Sequence, residues 1–326
     1  MSRKRKYVLS LSVILIVVAL FFTTNKYTPK DLSDDVSDGA SSTAAVEMTP
    51  STVSPDKGEG KILAAFLDVG QADCSLFTLP DGKILLIDAG DRGDGDQLVD
   101  YLKKRGIIKI DYLLATHPHS DHIGGMSDVI DSFEIGKIFA PKVASNDLPT
   151  SKTYEEFLTS VGKKNLKITK AAAGSTLFEG ENYKAECFAP CGSDYDGLNN
   201  YSAVVKITYG IHSFLLTGDA EYISEEEMLN AGYNLDCDVL KVGHHGSSSS
   251  SSEDFLKKAS PKYAVISCGT DNSYGHPHEE TLKALKNLKG LDYIFRTDED
   301  KTVTFTADGK TENGITFQTK GASVID

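Results

Sequence analysis

The stretch THPHSDHIGG, residues 116–125, decides how this chain is read. It sets three of the eight histidines and one carboxylate, His117, His119, Asp121 and His122, within six positions. Imidazole nitrogens and carboxylate oxygens at this density, beside glycines that admit close backbone approach, make a site for a borderline divalent cation such as zinc or manganese. The H-x-H-x-D-H spacing can send the first two histidines one way and the Asp–His pair the other, so that one stretch serves two adjacent ions. Chance exposure on a polar loop is the alternative, but clusters of this kind usually build metal sites.

Working outward, IDYLLAT (110–116) reads as a buried strand running into the cluster, and GGMSDVIDSF (124–133) as a helix leaving it. The cluster therefore lies in a loop between a strand's C-terminal end and a helix N-terminus, where layered α/β proteins carry sites. Further strands are expected at 61–69, 72–79, 83–90, 137–141, 183–190, 202–210, 212–219, 238–243, 263–269, 302–310 and 315–319. Pro80-Asp81-Gly82 is the tight turn of a hairpin between the second and third of these. Helical spacing and stop signals mark 96–106, 153–164, 224–232, 251–259 and 278–290. This order suits two sheets packed face to face with helices outside, an αββα four-layer α/β sandwich.

Composition is that of a globular protein, with 40% hydrophobic and 25% charged residues over 326 positions, which excludes disorder throughout. Four basic residues at 3–6 precede an apolar run from Tyr7 to Phe22, so residues 1–25 are expected to be a signal peptide or an N-terminal membrane anchor. That pattern implies a single-pass membrane protein with its domain outside, or a secreted one. Residues 26–60, rich in Ser, Thr, Asp, Pro and Gly, read as a flexible linker, and 61–326 as one folded domain.

The formal charge is −13, and subtracting the four N-terminal bases leaves −17 for the remainder. Such a domain does not attract polyanions by its bulk field, so a nucleic-acid substrate would depend on a local basic patch or a bound metal. The five cysteines are too few and scattered for a disulfide scaffold; Cys187 and Cys191 either pair or are two small buried side chains. The serine run 247–252 reads as a flexible loop, with phosphate binding by its hydroxyls and N–H groups as the alternative. Gly70 and Gln71 are read as a tight turn near the floor of the site, and His212 as a hairpin residue with no catalytic part.

THPHSDHIGG also matches the signature of the metallo-β-lactamase fold superfamily. FLDVGQADCSLF, LLIDAG, LLTGDA (215–220), LKVGHHGSSSSSS (240–252), YGHPHEETL (274–282) and FRTDEDKTVTFTADG (295–309) resemble, in order, the hydrolase domain of ComEC/Rec2-type DNA-uptake channel proteins. The competence channel domain is absent from this sequence. The resemblance implies that His117 and His119 ligate a first metal, Asp121 and His122 a second, and that Asp219 bridges both. A later histidine completes the second site; VGHHG offers His244 and His245, with His244 nearer the strand end. Where many members of the superfamily supply a further histidine, this chain has Asn199, Asn200 and Ser202, which suggests a first site of weaker zinc affinity and a manganese preference.

One or two divalent ions, Zn²⁺ or Mn²⁺, would lower the pKa of a bound water toward neutrality and polarise the scissile oxygen, so no serine or cysteine nucleophile is needed. Asp121 is expected to orient the water, His276 to touch substrate oxygen or protonate the leaving group, and His278 to start a helix. The favoured activity is an extracytoplasmic phosphodiesterase or nuclease, with DNA or a cell-wall polymer as its phosphodiester substrate. The alternatives are hydrolysis of teichoic acid, phosphorylcholine or another ester or amide, β-lactams included, and a non-catalytic metal-binding module. A ligand set with room for water argues for an enzyme.

Overall fold

The computed structural model describes residues 60–325. The expected signal or anchor at 1–25 and nearly all of the expected linker, 26–59, lie outside the described residues. The first half runs β1 (Ile62–Phe66), β2 (Ser75–Thr78), β3 (Ile84–Ile87), α1 (Gly95–Lys104), β4 (Lys109–Leu114), α2 (Ser120–Ile123), α3 (Met126–Ser132), β5 (Glu134–Ala140), α4 (Lys152–Lys163) and β6 (Ile168–Lys170). The second half runs β7 (Ser175–Gly180), β8 (Tyr183–Ala189), β9 (Val204–Tyr209), β10 (His212–Leu216), α5 (Tyr222–Asn230), β11 (Val239–Lys241), α6 (Glu253–Ala259), β12 (Tyr263–Ile266), α7 (Glu279–Lys286), β13 (Tyr293–Arg296), α8 (Thr297–Asp300), β14 (Thr302–Ala307) and β15 (Ile315–Gly321).

Two mixed sheets result, one ordered β15-β14-β1-β2-β3-β4-β5-β6 and the other β13-β12-β11-β10-β9-β8-β7. Strand alternation explains the layering. In β3, Leu85 and Ile87 face the other sheet and, with Phe66 and Phe77 of their own sheet, join Val205 and Phe214. Ile84 and Leu86 face the opposite way, onto Leu98 and Leu102 of α1 and Val129 and Ile130 of α3. In the second sheet Phe214 and Leu216 point inward while Leu215, Leu240 and Ile266 meet Met228 of α5, Phe255 and Leu256 of α6 and Leu285 of α7. A strand buried on both faces reads as a continuous apolar run, which is why ILLI has no polar member. The αββα sandwich expected from the sequence is the observed fold. Among the described residues no helix is long and apolar enough to cross a membrane.

Three strands and two short helices depart from the sequence expectation. β6 is three exposed residues at a sheet edge, and β7 carries a register shift between Thr176 and Phe178 that breaks its alternation. β13 pairs parallel with β12 as an edge strand. α2 and α8 are single turns of four residues each, below the length at which spacing signals a helix.

Parallel pairing gathers the polar residues at one end of the sandwich. β3, β4 and β5 run parallel in one sheet, and β10, β11 and β12 in the other. The segments leaving the C-terminal ends of β3, β4, β10, β11 and β12 supply Asp88, residues 116–122, Asp219, His244 with His245, and Ser267.

Candidate metal centre

β4 ends at Leu114, and the chain turns through Thr116 and His117 before the single turn α2, so Asp121 and His122 stand on a helical turn rather than in an open loop. Gly124 permits this: a Cβ there would stand 2.0 Å from the backbone carbon of Asp91. Gly218 does the same on the other side, where φ is +51° and a Cβ would meet Thr116 at 2.9 Å. Asp219 thereby reaches the cluster, with its backbone N–H donating to Ser202 Oγ at 3.0 Å.

Two donor groups share Asp219: His117 and His119 on one side, and Asp121, His122 and His245 on the other, with the candidate ligand atoms of each group within 4.8 Å of one another. His117 Nε2 lies 3.7 Å from Asp219 Oδ2 and 2.9 Å from His119 Nδ1. His122 Nε2 lies 3.2 Å from Asp219 Oδ1, and His245 Nε2 3.6 Å from the same oxygen and 3.4 Å from Asp121 Oδ2. The division of H-x-H-x-D-H into two directions is therefore present in the geometry. Of the two later histidines it is His245 that joins Asp121 and His122, against the lean toward His244 from strand proximity. The reason is local: both residues adopt left-handed backbone, with φ of 49° and 51°, which turns His245 inward and leaves His244 at the cleft. Such conformations cost about 1–3 kcal/mol each in a non-glycine residue and cluster at functional sites.

Several residues that the sequence motifs do not single out orient these rings. Asp88 Oδ2 stands 2.8 Å from His122 Nδ1, and Asp88 also accepts from Thr116 N at 2.8 Å and Thr116 Oγ1 at 2.6 Å. Ser267 O fixes His245 Nδ1 at 3.0 Å. Ser249 Oγ and Glu221 Oε1 lie 3.1 and 3.4 Å from His244 Nδ1. The pairing of a ring's second nitrogen with a carboxylate or carbonyl is the usual signature of a metal-binding imidazole, and LLIDAG was the signal that could have placed Asp88 here.

The donor set fits a divalent cation. Asp219 Oδ1, His122 Nε2 and His245 Nε2 are all buried without a hydrogen-bond partner, an arrangement that is costly unless something binds them. Burial and the neighbouring His122 push His117 well below the ordinary imidazole value, and burial lowers His119, so both are neutral, the ligand form. Burial works against ionising Asp219, but His122 and His245 outweigh it and hold the carboxyl far below its usual range. Asp121 is likewise lowered, burial being overcome by His245. His122 and His245 are raised, their burial offset chiefly by Asp219, so a cation would replace a proton at each.

Gln71, His119, Ser120, Asp121, Asn199 and Asp219 line a cleft of about 270 Å³ together with His244, His245, Tyr274 and His276. Gln71 bonds Gly269 N through Oε1 at 3.0 Å and approaches His276 Nδ1 at 3.4 Å, in keeping with its expected place at the floor. Burial, then His244, lowers His276 to about 4, so at neutral pH its ring is neutral and can touch substrate oxygen. His278 caps α7 and accepts from Ser248 N at 2.9 Å. His212 is buried at the opposite end of β10 from Asp219, between Asp238 and Asp308. Asn200 Oδ1 accepts from Glu221 N and Ser224 N at the start of α5, while Asn199 Oδ1 is buried without a partner.

The serine run is a bonded strap rather than a flexible loop. Ser250 Oγ donates to Ala220 O at 2.7 Å, and the N–H groups of Ser251 and Ser252 both go to the Glu225 carboxylate, which occupies the donors a phosphate would need. Cys187 and Cys191 are both free thiols, Cys187 buried as expected of an unpaired one and Cys191 exposed. A second cleft of about 950 Å³ adjoins the centre, reaching from His117 and Pro118 past Lys142, Tyr154 and Lys170 to Cys191. Among the described residues neither lysine pairs with a carboxylate.

Residues 67–270 match the Metallo-beta-lactamase superfamily, and the chain belongs to it. It is 29% identical over 256 residues to ComE operon protein 3 of Bacillus subtilis, covering 73% of this chain and 32% of that protein. It is also 29% identical over 243 residues to Recombination protein 2 of Haemophilus influenzae, covering 68% of this chain and 26% of that protein. The chain spans about a third or less of the length of these relatives. Among solved structures, the metallo-beta-lactamase fold protein YhfI from Bacillus subtilis superposes with a TM-score of 0.51 at 15% identity, over 76% of this chain and 100% of that one, a likeness of fold. Fold, family and donor set together define a metal-dependent hydrolase of ComEC-like type.

Proposed function

We propose that this hydrolase is a phosphodiesterase acting on a polyanionic chain outside the cell membrane, with residues 1–25 exporting or anchoring it. The observation that carries the reading is Asp219 shared between two donor groups, beside a cleft that holds two lysines without carboxylate partners among the described residues. His117, His119 and Asp219 would hold one divalent ion, and Asp121, His122, His245 and Asp219 the other, Zn²⁺ or Mn²⁺. One or two such ions supply an activated water and polarise the phosphoryl oxygen.

The rest falls to the protein. Asp88 and Ser267 hold two rings in register, and Asp121 faces the cleft where water is oriented. His244 and His276 line the same cleft, within reach of a substrate's non-bridging oxygens. Lys142 and Lys170 offset a net charge of −13 locally and so draw flanking phosphates toward His117. A relative named for recombination supports a nucleic acid as the polymer.

The test is to strip the purified chain of metal and compare cleavage of single-stranded DNA and bis-p-nitrophenyl phosphate after adding Mn²⁺ or Zn²⁺, alongside Asp121→Ala. Metal-restored cleavage of both, lost in the variant, is expected. Cleavage of the small ester alone would move the substrate to cell-wall phosphodiesters, and no turnover of either despite bound metal would sink the proposal.

A further inference from the structure

Beneath the cluster lies a buried cation that the proposed chemistry does not use. Lys241, the last residue of β11, is 2% exposed. Its Nζ donates to Val242 O at 2.9 Å and stands 2.9 Å from Asp73 Oδ2. Asp73 itself is buried in the β1–β2 connection of the other sheet, so the pair joins the two sheets of the sandwich. Its backbone is committed to the centre as well: Asp73 N donates to Asp121 O at 3.0 Å, and Gly90 N to Asp73 O at 2.9 Å.

The Asp73 side chain faces two candidate ligands. Oδ1 lies 3.5 Å from His245 Nδ1, and Oδ2 3.9 Å from His122 Nδ1. Asp73, Asp88 and His122 form a third donor group. Four carboxyl groups, those of Asp73, Asp88, Asp121 and Asp219, thus surround His122 and His245. Among the described residues Lys241 is the lysine or arginine that pairs with any of them. A buried ammonium is costly to place and strongly destabilising to remove while its partner stays.

We infer that Lys241 is a resident counter-cation and positioning residue, whose charge holds Asp73 against His122 and His245 and keeps the acidic floor intact before any metal binds. The inference rests on the metal-site reading. A cation built into the floor relieves part of the carboxyl repulsion that a bound ion also relieves. Losing it should therefore harm the metal-free chain more than the loaded one.

The experiment is the thermal midpoint of the full chain, metal-stripped and with saturating Mn²⁺, for the wild type, Lys241→Met, Lys241→Arg and the double variant Asp73→Asn/Lys241→Met. In Lys241→Met the metal-free midpoint should fall by roughly 10 °C and the loaded midpoint by less than half as much. Folding of that variant only when Mn²⁺ is present counts as the same result. Lys241→Arg should recover part of the loss, and the double variant should recover the metal-free midpoint by removing charge from both partners. Equal falls in both states, or a double variant no better than the single one, would show that Lys241 merely fills space and overturn the inference. Metal content of the wild type by mass spectrometry separates this from failure of the site itself: a wild type that binds no Mn²⁺ sinks the metal-site reading.

Discussion

Asp88 Oδ2 meets His122 Nδ1 at 2.8 Å, which leaves the other nitrogen of that ring to face Asp219 at 3.2 Å. The carboxylate thus selects which nitrogen of a buried imidazole is offered to a cation. Asp88→Asn replaces an acceptor with an amide that can donate to the same nitrogen and favour the wrong tautomer. Metal affinity, read by competition with a chromophoric chelator, should fall about 10–100-fold, the usual loss when such an outer partner is removed.

His244 and His245 are adjacent in sequence and differ in surroundings. His245 Nε2 faces Asp121 and Asp219, whereas His244 approaches Asp219 only at 3.7 Å and is held by Glu221 and Ser249 at the cleft. His245→Ala should therefore reduce bound metal per chain, while His244→Ala should keep the metal and slow turnover. Metal analysis beside steady-state kinetics separates the two; the opposite pattern would return His244 to the second donor group.

Lys142 and Lys170 line the larger cleft next to His117. Reversing both charges, Lys142→Glu with Lys170→Glu, should raise KM for single-stranded DNA several-fold at low salt and converge with the wild type at high salt. Turnover of bis-p-nitrophenyl phosphate, which carries no flanking phosphates for the lysines to hold, should not change.

Four of the five cysteines are buried and Cys191 is exposed. In the native chain only Cys191 should react with a thiol reagent, the others following on unfolding. Partial desolvation of its sulfur, and then Glu227, raises the Cys191 thiol, so thiolate forms at higher pH than in a free cysteine. The alkylation rate should still be climbing at pH values above about 8.5, the ordinary thiol pKa, rather than levelling there.

The layers of the fold were legible because strands such as ILLI and helices such as that at 96–106 carry strong local patterns. β6 and β7 were not, one being three exposed edge residues and the other shifted in register. At the site, the density of histidines in THPHSDHIGG named four of the residues the structure brings together, and the family resemblance supplied Asp219. The choice between His244 and His245 turned on two left-handed backbone conformations that no side-chain pattern records. Asp88 was within reach through LLIDAG, since β3 and β4 lie side by side in one sheet, whereas Asp73 and Lys241 meet only where the two sheets come together. The serine run illustrates the converse: its composition suggests mobility, while Glu225 and Ala220 tie it down.

Asp219 sharing between two donor groups is the centre of the account, and metal content measures it directly. Full-length wild type and Asp219→Ala, each loaded with Mn²⁺ or Zn²⁺ and freed of excess, would be compared for metal per chain by mass spectrometry. The account predicts one or two equivalents in the wild type and almost none in the variant. An unchanged metal content in Asp219→Ala would contradict it.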